Sequence, residues 1–210
     1  MNRRGHRGTG EGFHHGDTES RRKSLKKKIN SERPPKPAVA AIEGRLSGAG
    51  KRFAIVVSRF NGFITERLFQ SAYDGLLRLG AAKKDIALVR VPGAFEIPLA
   101  ARTLAETKKY DAIICIGCLL RGDTAHYDVI VNEVTRGIGQ SAQETGVPHA
   151  FGVLTCETLE QAIDRAGLKM GNKGFEAALA AVEMANLRSV VRRSPLAVRK
   201  SRAKGNNNKR

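Results

Sequence analysis

Four short segments of this 210-residue chain carry side chains suited to holding a flat polar ring and a phosphate and to moving a proton between ligands. The richest is Gly117-Cys118-Leu119-Leu120-Arg121-Gly122-Asp123-Thr124-Ala125-His126. Gly122 permits a tight turn, and the amides of Asp123 and Thr124, with the Thr124 hydroxyl, face the head of a helix where an anion is favoured. The Asp123 carboxylate would repel a phosphate, so only its backbone can help. His126, in the first helical turn, is an imidazole able to accept and donate protons, although a surface histidine with no task has the same sequence signature. In Ser58-Arg59-Phe60-Asn61, an aromatic beside an amide can stack on a ligand ring, or Phe60 is an ordinary core residue. In Val91-Pro92-Gly93-Ala94-Phe95-Glu96-Ile97-Pro98, the free amides of Ala94, Phe95 and Glu96 can bind a ring edge or an oxyanion, while Glu96 is also explained as an acid favoured by the helix dipole. Further on, Arg165 and Lys173 flank a loop and can clamp a phosphate, or they are solvated charges. Thr158-x-x-Gln161 resembles a capping box, whose polar groups only start a helix.

The elements that must position these groups alternate along the chain. Apolar runs predict strands at 53–57, 86–91, 112–116 and 149–154. Helical spacing predicts helices at 65–79, 97–108, 126–145, 158–166 and 174–188, with Gly80 and Gly146 closing two of them. The strand runs lack alternation, which implies strands covered on both faces and hence a parallel sheet between helices. Right-handed crossovers then give an α/β fold, a three-layer α/β/α sandwich with a four-stranded, flavodoxin-like sheet. Ligands in such folds sit beyond the carboxyl ends of the strands, so functional residues should follow Val57, Val91, Ile116 and Leu154.

Charge divides the chain. The net is +17, from 37 Lys and Arg against 20 Asp and Glu. Residues 1–50 hold 12 basic and 5 acidic groups and residues 189–210 hold 8 basic and none acidic, leaving residues 51–188 at only +2. This excludes a uniformly basic nucleic-acid-binding domain. Residues 1–45 and 192–210 are expected to be disordered basic tails that attract polyanions non-specifically, flanking a compact domain at 46–191. With no apolar run of 18 residues, no membrane span is expected. Three cysteines cannot form a disulfide framework and suit a reducing compartment, so the cytoplasm is expected; the Arg-rich first 50 residues contain five acids and no clear apolar stripe, against an organelle address.

Three motifs mislead. Gly48-Ala49-Gly50-Lys51 lacks the first glycine and the hydroxyl residue of a P-loop and precedes a strand instead of following one. Cys115-x-x-Cys118 has metal spacing, but residues three apart on a strand point to opposite faces. His14-His15 has no partner ligands at sensible spacing.

Taken in order, Ser58–Asn61, Val91–Pro98, Leu120-Arg121-Gly122-Asp123-Thr124-Ala125-His126-Tyr127 and Gly171-Asn172-Lys173-Gly174 make residues 51–188 resemble the lumazine synthase family. The resemblance implies riboflavin biosynthesis: condensation of 5-amino-6-(D-ribitylamino)uracil with 3,4-dihydroxy-2-butanone 4-phosphate to 6,7-dimethyl-8-ribityllumazine, with phosphate and water released and no cofactor or metal. It assigns Phe60 to stacking on the pyrimidine. Asn61, Ala94, Phe95, Glu96, Cys118, Leu119 and Leu120 are assigned to the pyrimidine and ribityl pocket. Asp123 and Thr124, with Arg165, fall to the phosphate, and His126 to proton transfer. Phe151, Arg165 and Lys173 are expected from a neighbouring subunit, in a homo-oligomer of pentamers that in this family extends to icosahedral shells and to association with riboflavin synthase. Cys118 stands where relatives carry a hydroxyl or another small residue. The alternative is a non-catalytic flavodoxin-like ligand-binding domain with RNA-binding tails, which would not need His126 and Arg165 together.

Overall fold

The computed structural model describes residues 41–169 and 171–193. The expected tails lie outside the described residues, apart from 41–45 and 192–193.

Four parallel strands form the sheet: β1 (Phe53–Ser58), β2 (Ile86–Val91), β3 (Ala112–Leu120) and β4 (His149–Cys156), in the order β2-β1-β3-β4. Among the described residues the helices are α1 (Gly62–Arg78), α2 (Ile97–Glu106), α3 (His126–Thr145), α4 (Leu159–Arg165) and α5 (Lys173–Arg193), with a 3-10 turn at Lys83–Asp85. The three-layer α/β/α sandwich expected from the sequence is the fold observed. No helix among the described residues is long and apolar enough to cross a membrane.

Two cores sit on the two faces of the sheet. Phe53, Ile55 and Val57 of β1 and Ile114 and Ile116 of β3 pack with Leu68 and Leu76 of α1, Ala162 of α4 and Ala178 and Val182 of α5. The alternate residues Ala54, Val56, Ile113 and Cys115 meet Ile97 and Ala101 of α2 and Val134 and Ile138 of α3. Cys115 and Cys118 therefore belong to opposite faces, as their strand spacing requires. Coverage on both faces holds along β1 and most of β3. It is incomplete at the sheet edges, where Leu88 of β2 and Phe151 of β4 stay exposed.

Three boundaries differ by three residues or more from the sequence-based expectation. β3 runs to Leu120, not Ile116: Gly117 to Leu120 continue to pair with Val153 to Cys156 after β1 has ended. Gly117 is a point of close approach, since a Cβ there would lie 3.0 Å from Ile97 Cδ1. α1 starts three residues early, at Gly62, and α5 continues to Arg193, with Arg192 and Arg193 beside the negative end of its dipole. The chain before β1 is also held: the Asn186 side-chain amide donates to the carbonyls of Arg45 and Ser47 at 2.9 Å each.

Candidate active site

The first three strand ends build one cavity of about 690 Å³. Its upper wall begins where β1 stops. Asn61 adopts a left-handed backbone (φ 57°), which turns the chain sharply into α1, and its side-chain amide donates to the Cys118 carbonyl at 2.9 Å. The amides of Arg59 and Phe60 donate to the carbonyls of Val91 and Pro92 at 2.8 and 3.2 Å, stitching the loops after β1 and β2 together. Phe60 is left 68% exposed at the cavity, which removes the core reading of this residue.

After β2, the Glu96 carboxylate accepts from the Gly93 amide at 2.9 Å, so the acid closes the Pro-Gly turn besides sitting at the head of α2. Ala94 is buried and Phe95 exposed; both line the cavity with Glu96. Cys118, Leu119 and Leu120 also line it, from the strand itself and not from a loop. Burial pushes the Cys118 thiol up to about 12, with Cys156 adding to the effect, so it is a neutral wall group at ordinary pH.

The turn after β3 brings Thr124 and His126 to the same cavity. The His126 amide donates to the Thr124 hydroxyl at 3.4 Å, and both residues are exposed at the head of α3. Asp123 lies on this exposed turn but is not part of the cavity lining. Arg121 fastens the turn. It is bidentate to Asp128 at 3.1 and 2.9 Å, reaches Glu157 at 2.5 Å, and lies 4.3 Å over the Tyr127 ring. Those partners raise its pKa further: first the hydrogen bonds to Asp128 and Glu157, then their charges. Sequence reasoning missed Arg121 as this brace, and missed Tyr127 and Ile130 as cavity walls. The spacing 126, 127, 130 places the last two beside His126 on one helical face, a signal that was available.

A second cavity of about 680 Å³ lies along β4. Phe151, Arg165 and Lys173 are all in its lining, with Gln161, which the sequence marked only as part of a capping box, and Asp164, which sequence reasoning did not single out. The two cavities share no lining residue, so one chain does not bring Arg165 together with His126 and Thr124. Arg165 makes no ion pair among the described residues, whereas Lys173 is paired with Glu176. The Thr158 hydroxyl accepts from the Gln161 amide at 3.3 Å, and Gln161 accepts from Glu157, so this segment serves as a helix start.

The fourth motif is largely scaffold. Asn172 donates to the Ala166 carbonyl at 2.7 Å and accepts from the Gly174 amide at 2.8 Å. At Gly174 a Cβ would sit 1.9 Å from the Leu68 carbonyl oxygen, so α5 can meet α1 only without a side chain there. The motif thereby fixes the start of α5, where Lys173 stands.

The family model for 6,7-dimethyl-8-ribityllumazine synthase matches residues 50–189, the span of sheet and helices just described. The chain is 60% identical over 146 residues to the 6,7-dimethyl-8-ribityllumazine synthase of Desulfotalea psychrophila (strain LSv54 / DSM 12343), covering 70% of this chain and 94% of that relative. The chain belongs to the 6,7-dimethyl-8-ribityllumazine synthase family.

Proposed function

We propose that the protein makes 6,7-dimethyl-8-ribityllumazine in riboflavin biosynthesis, as a transferase that condenses 5-amino-6-(D-ribitylamino)uracil with 3,4-dihydroxy-2-butanone 4-phosphate and releases phosphate and water. The observation that carries this reading is the cavity beyond β1, β2 and β3, which gathers Phe60, Asn61, Ala94, Glu96, Cys118, Thr124 and His126 from separate strand ends. Phe60 supplies a flat apolar face for the pyrimidine. Asn61 and Glu96 stand fixed by their own hydrogen bonds, so they and the amides beside them form a wall for the polar ring edge. The amine of the pyrimidine attacks the ketone, and water leaves as the imine forms. His126 accepts and returns protons in these steps. Phosphate then departs, its charge held by Thr124, the amides of the turn that includes Asp123, and Arg165, and the ribitylamino nitrogen closes the second ring on the remaining carbonyl with loss of a second water. Alignment of the two reactants supplies much of the remaining gain.

Arg165, Phe151 and Lys173 would reach this chemistry from a neighbouring subunit, because in their own chain they line a different cavity. The working form is then a homo-oligomer built on pentamers. Exposure of Phe60, Phe63, Phe95, Leu99 and Val129 supports it, since this much bare apolar surface calls for a partner. Three unpaired, buried cysteines support the cytoplasm as the compartment.

The test is direct. Purified protein mixed with both substrates should generate lumazine absorbance and release phosphate in step. Absence of product from a folded, oligomeric preparation overturns the reading.

A further inference from the structure

At the opposite end of the sheet, below the amino ends of β1 and β3, lies a third cavity of about 500 Å³. Cations from separate segments converge on it: Arg52 ahead of β1, Lys108 and Lys109 from the turn after α2, and Arg188 and Arg192 one helical turn apart on α5. Asp111 is the one carboxylate in the lining among the described residues, and it is already occupied. It accepts from the Arg52 amide at 2.9 Å and lies 3.6 Å from the Lys51 ammonium. Arg52, Lys108, Lys109, Arg188 and Arg192 form no ion pair among the described residues, although elsewhere on the surface arginines pair repeatedly with acids.

Arg188 is the telling member. Its Nε is buried and has no hydrogen-bond partner among the described residues. Burial, and then the charge of Arg192, lower its pKa from the ordinary guanidinium value, while Asp111 pulls the other way. A guanidinium donor kept from water without an acceptor is costly unless something else fills that role. Like charges held around one concavity raise the same demand. None of this belongs to the site beyond the carboxyl ends of the strands, and no lining residue is common to the two.

We infer that this basal cavity binds a compact oligophosphate, with the half-buried Arg188 as its anchor and Lys108, Lys109 and Arg192 closing around it. Two features favour a chain of a few phosphates over a single one. The cations outnumber what one dianion neutralises, and the arginines offer planar forks that match phosphate oxygens. Concavity favours a small ligand over a nucleic-acid backbone, which would need charges spread along a surface.

The experiment is titration calorimetry of the full-length chain with inorganic tripolyphosphate at low ionic strength, with orthophosphate and a single-stranded RNA in parallel. One saturable tripolyphosphate site per chain is expected, with weaker binding of orthophosphate. Arg188→Met and Lys109→Gln should each raise Kd about tenfold or more, as loss of a charge-assisted contact does. Lys109 is exposed, so its replacement keeps the test decisive if the Arg188 variant folds poorly. A third variant, Arg199→Gln/Lys200→Gln/Arg202→Gln, neutralises basic residues beyond α5 and should shift Kd by less than about twofold. The inference is overturned if only this third variant loses binding, if tripolyphosphate binding does not saturate, or if the cavity variants affect RNA and leave tripolyphosphate unchanged.

Discussion

If each site takes one half from each of two chains, two defective chains should repair one another. The first variant is Phe60→Ala/His126→Ala, which damages the cavity beyond β1, β2 and β3 and leaves the β4 cavity intact. The second is Arg165→Ala, with the reverse pattern. Loss of a stacked ring costs about 1–3 kcal/mol, and the missing proton carrier adds to it. Each charge-assisted contact of the Arg165 fork is worth about 1.5–3 kcal/mol, so two of them lower the rate by about a hundredfold or more. Both parents should therefore fall to a few per cent of the unmodified protein or below. In a one-to-one co-assembly around a ring, each site draws its halves independently, and about one site in four is intact in both. The co-assembled oligomer should recover about a quarter of full turnover per subunit, several times the mean of its parents. The two chains are co-expressed with different affinity tags, the doubly tagged oligomer is isolated, and turnover is followed by lumazine absorbance. A doubly tagged oligomer that stays at the parental mean refutes the shared site, because a site within one chain always keeps one defect.

The single variants should also rank. Arg165→Ala should lower kcat/KM more than His126→Ala, since water can partly replace a proton carrier but not a cation beside a dianionic phosphate; steady-state kinetics with the larger loss at His126 would reverse the assignment. Gly174→Ala drives a Cβ to 1.9 Å from the Leu68 carbonyl oxygen and should cost about 3 kcal/mol or more, whereas Gly139→Ala, with nothing within 4 Å, should gain about 0.5–1 kcal/mol. Unfolding midpoints in urea at one protein concentration compare them, and equal midpoints would mean that α1 and α5 do not approach as described. A chain of residues 42–193 should oligomerise and keep near-normal turnover while losing salt-sensitive RNA retention; loss of turnover in that folded chain would give the tails a part in the site.

How far the sequence led depended on the range of the forces involved. Strand and helix positions follow from local apolar spacing, and all nine expected elements occur. Boundaries failed where a distant partner decides them. β3 outlasts its expected run of 112–116 because β4 continues to pair with it; Gly117 interrupts the apolar run, although Cys118, Leu119 and Leu120 resume it. Phe60 left two readings open locally, and only its exposure beside the other strand ends separates them. The Gly171-Asn172-Lys173-Gly174 motif shows the opposite limit. Its residues are recognisable as a set, yet Asn172 and Gly174 serve the junction of α5 with α1, while Lys173 lines the β4 cavity. A motif can thus be read correctly as a signature while its members divide between support and chemistry. Arg165 raises the same problem across chains: its type and its motif context point to a phosphate, but its own chain offers it a separate cavity, and that separation is itself the strongest structural argument for a site completed by a neighbour.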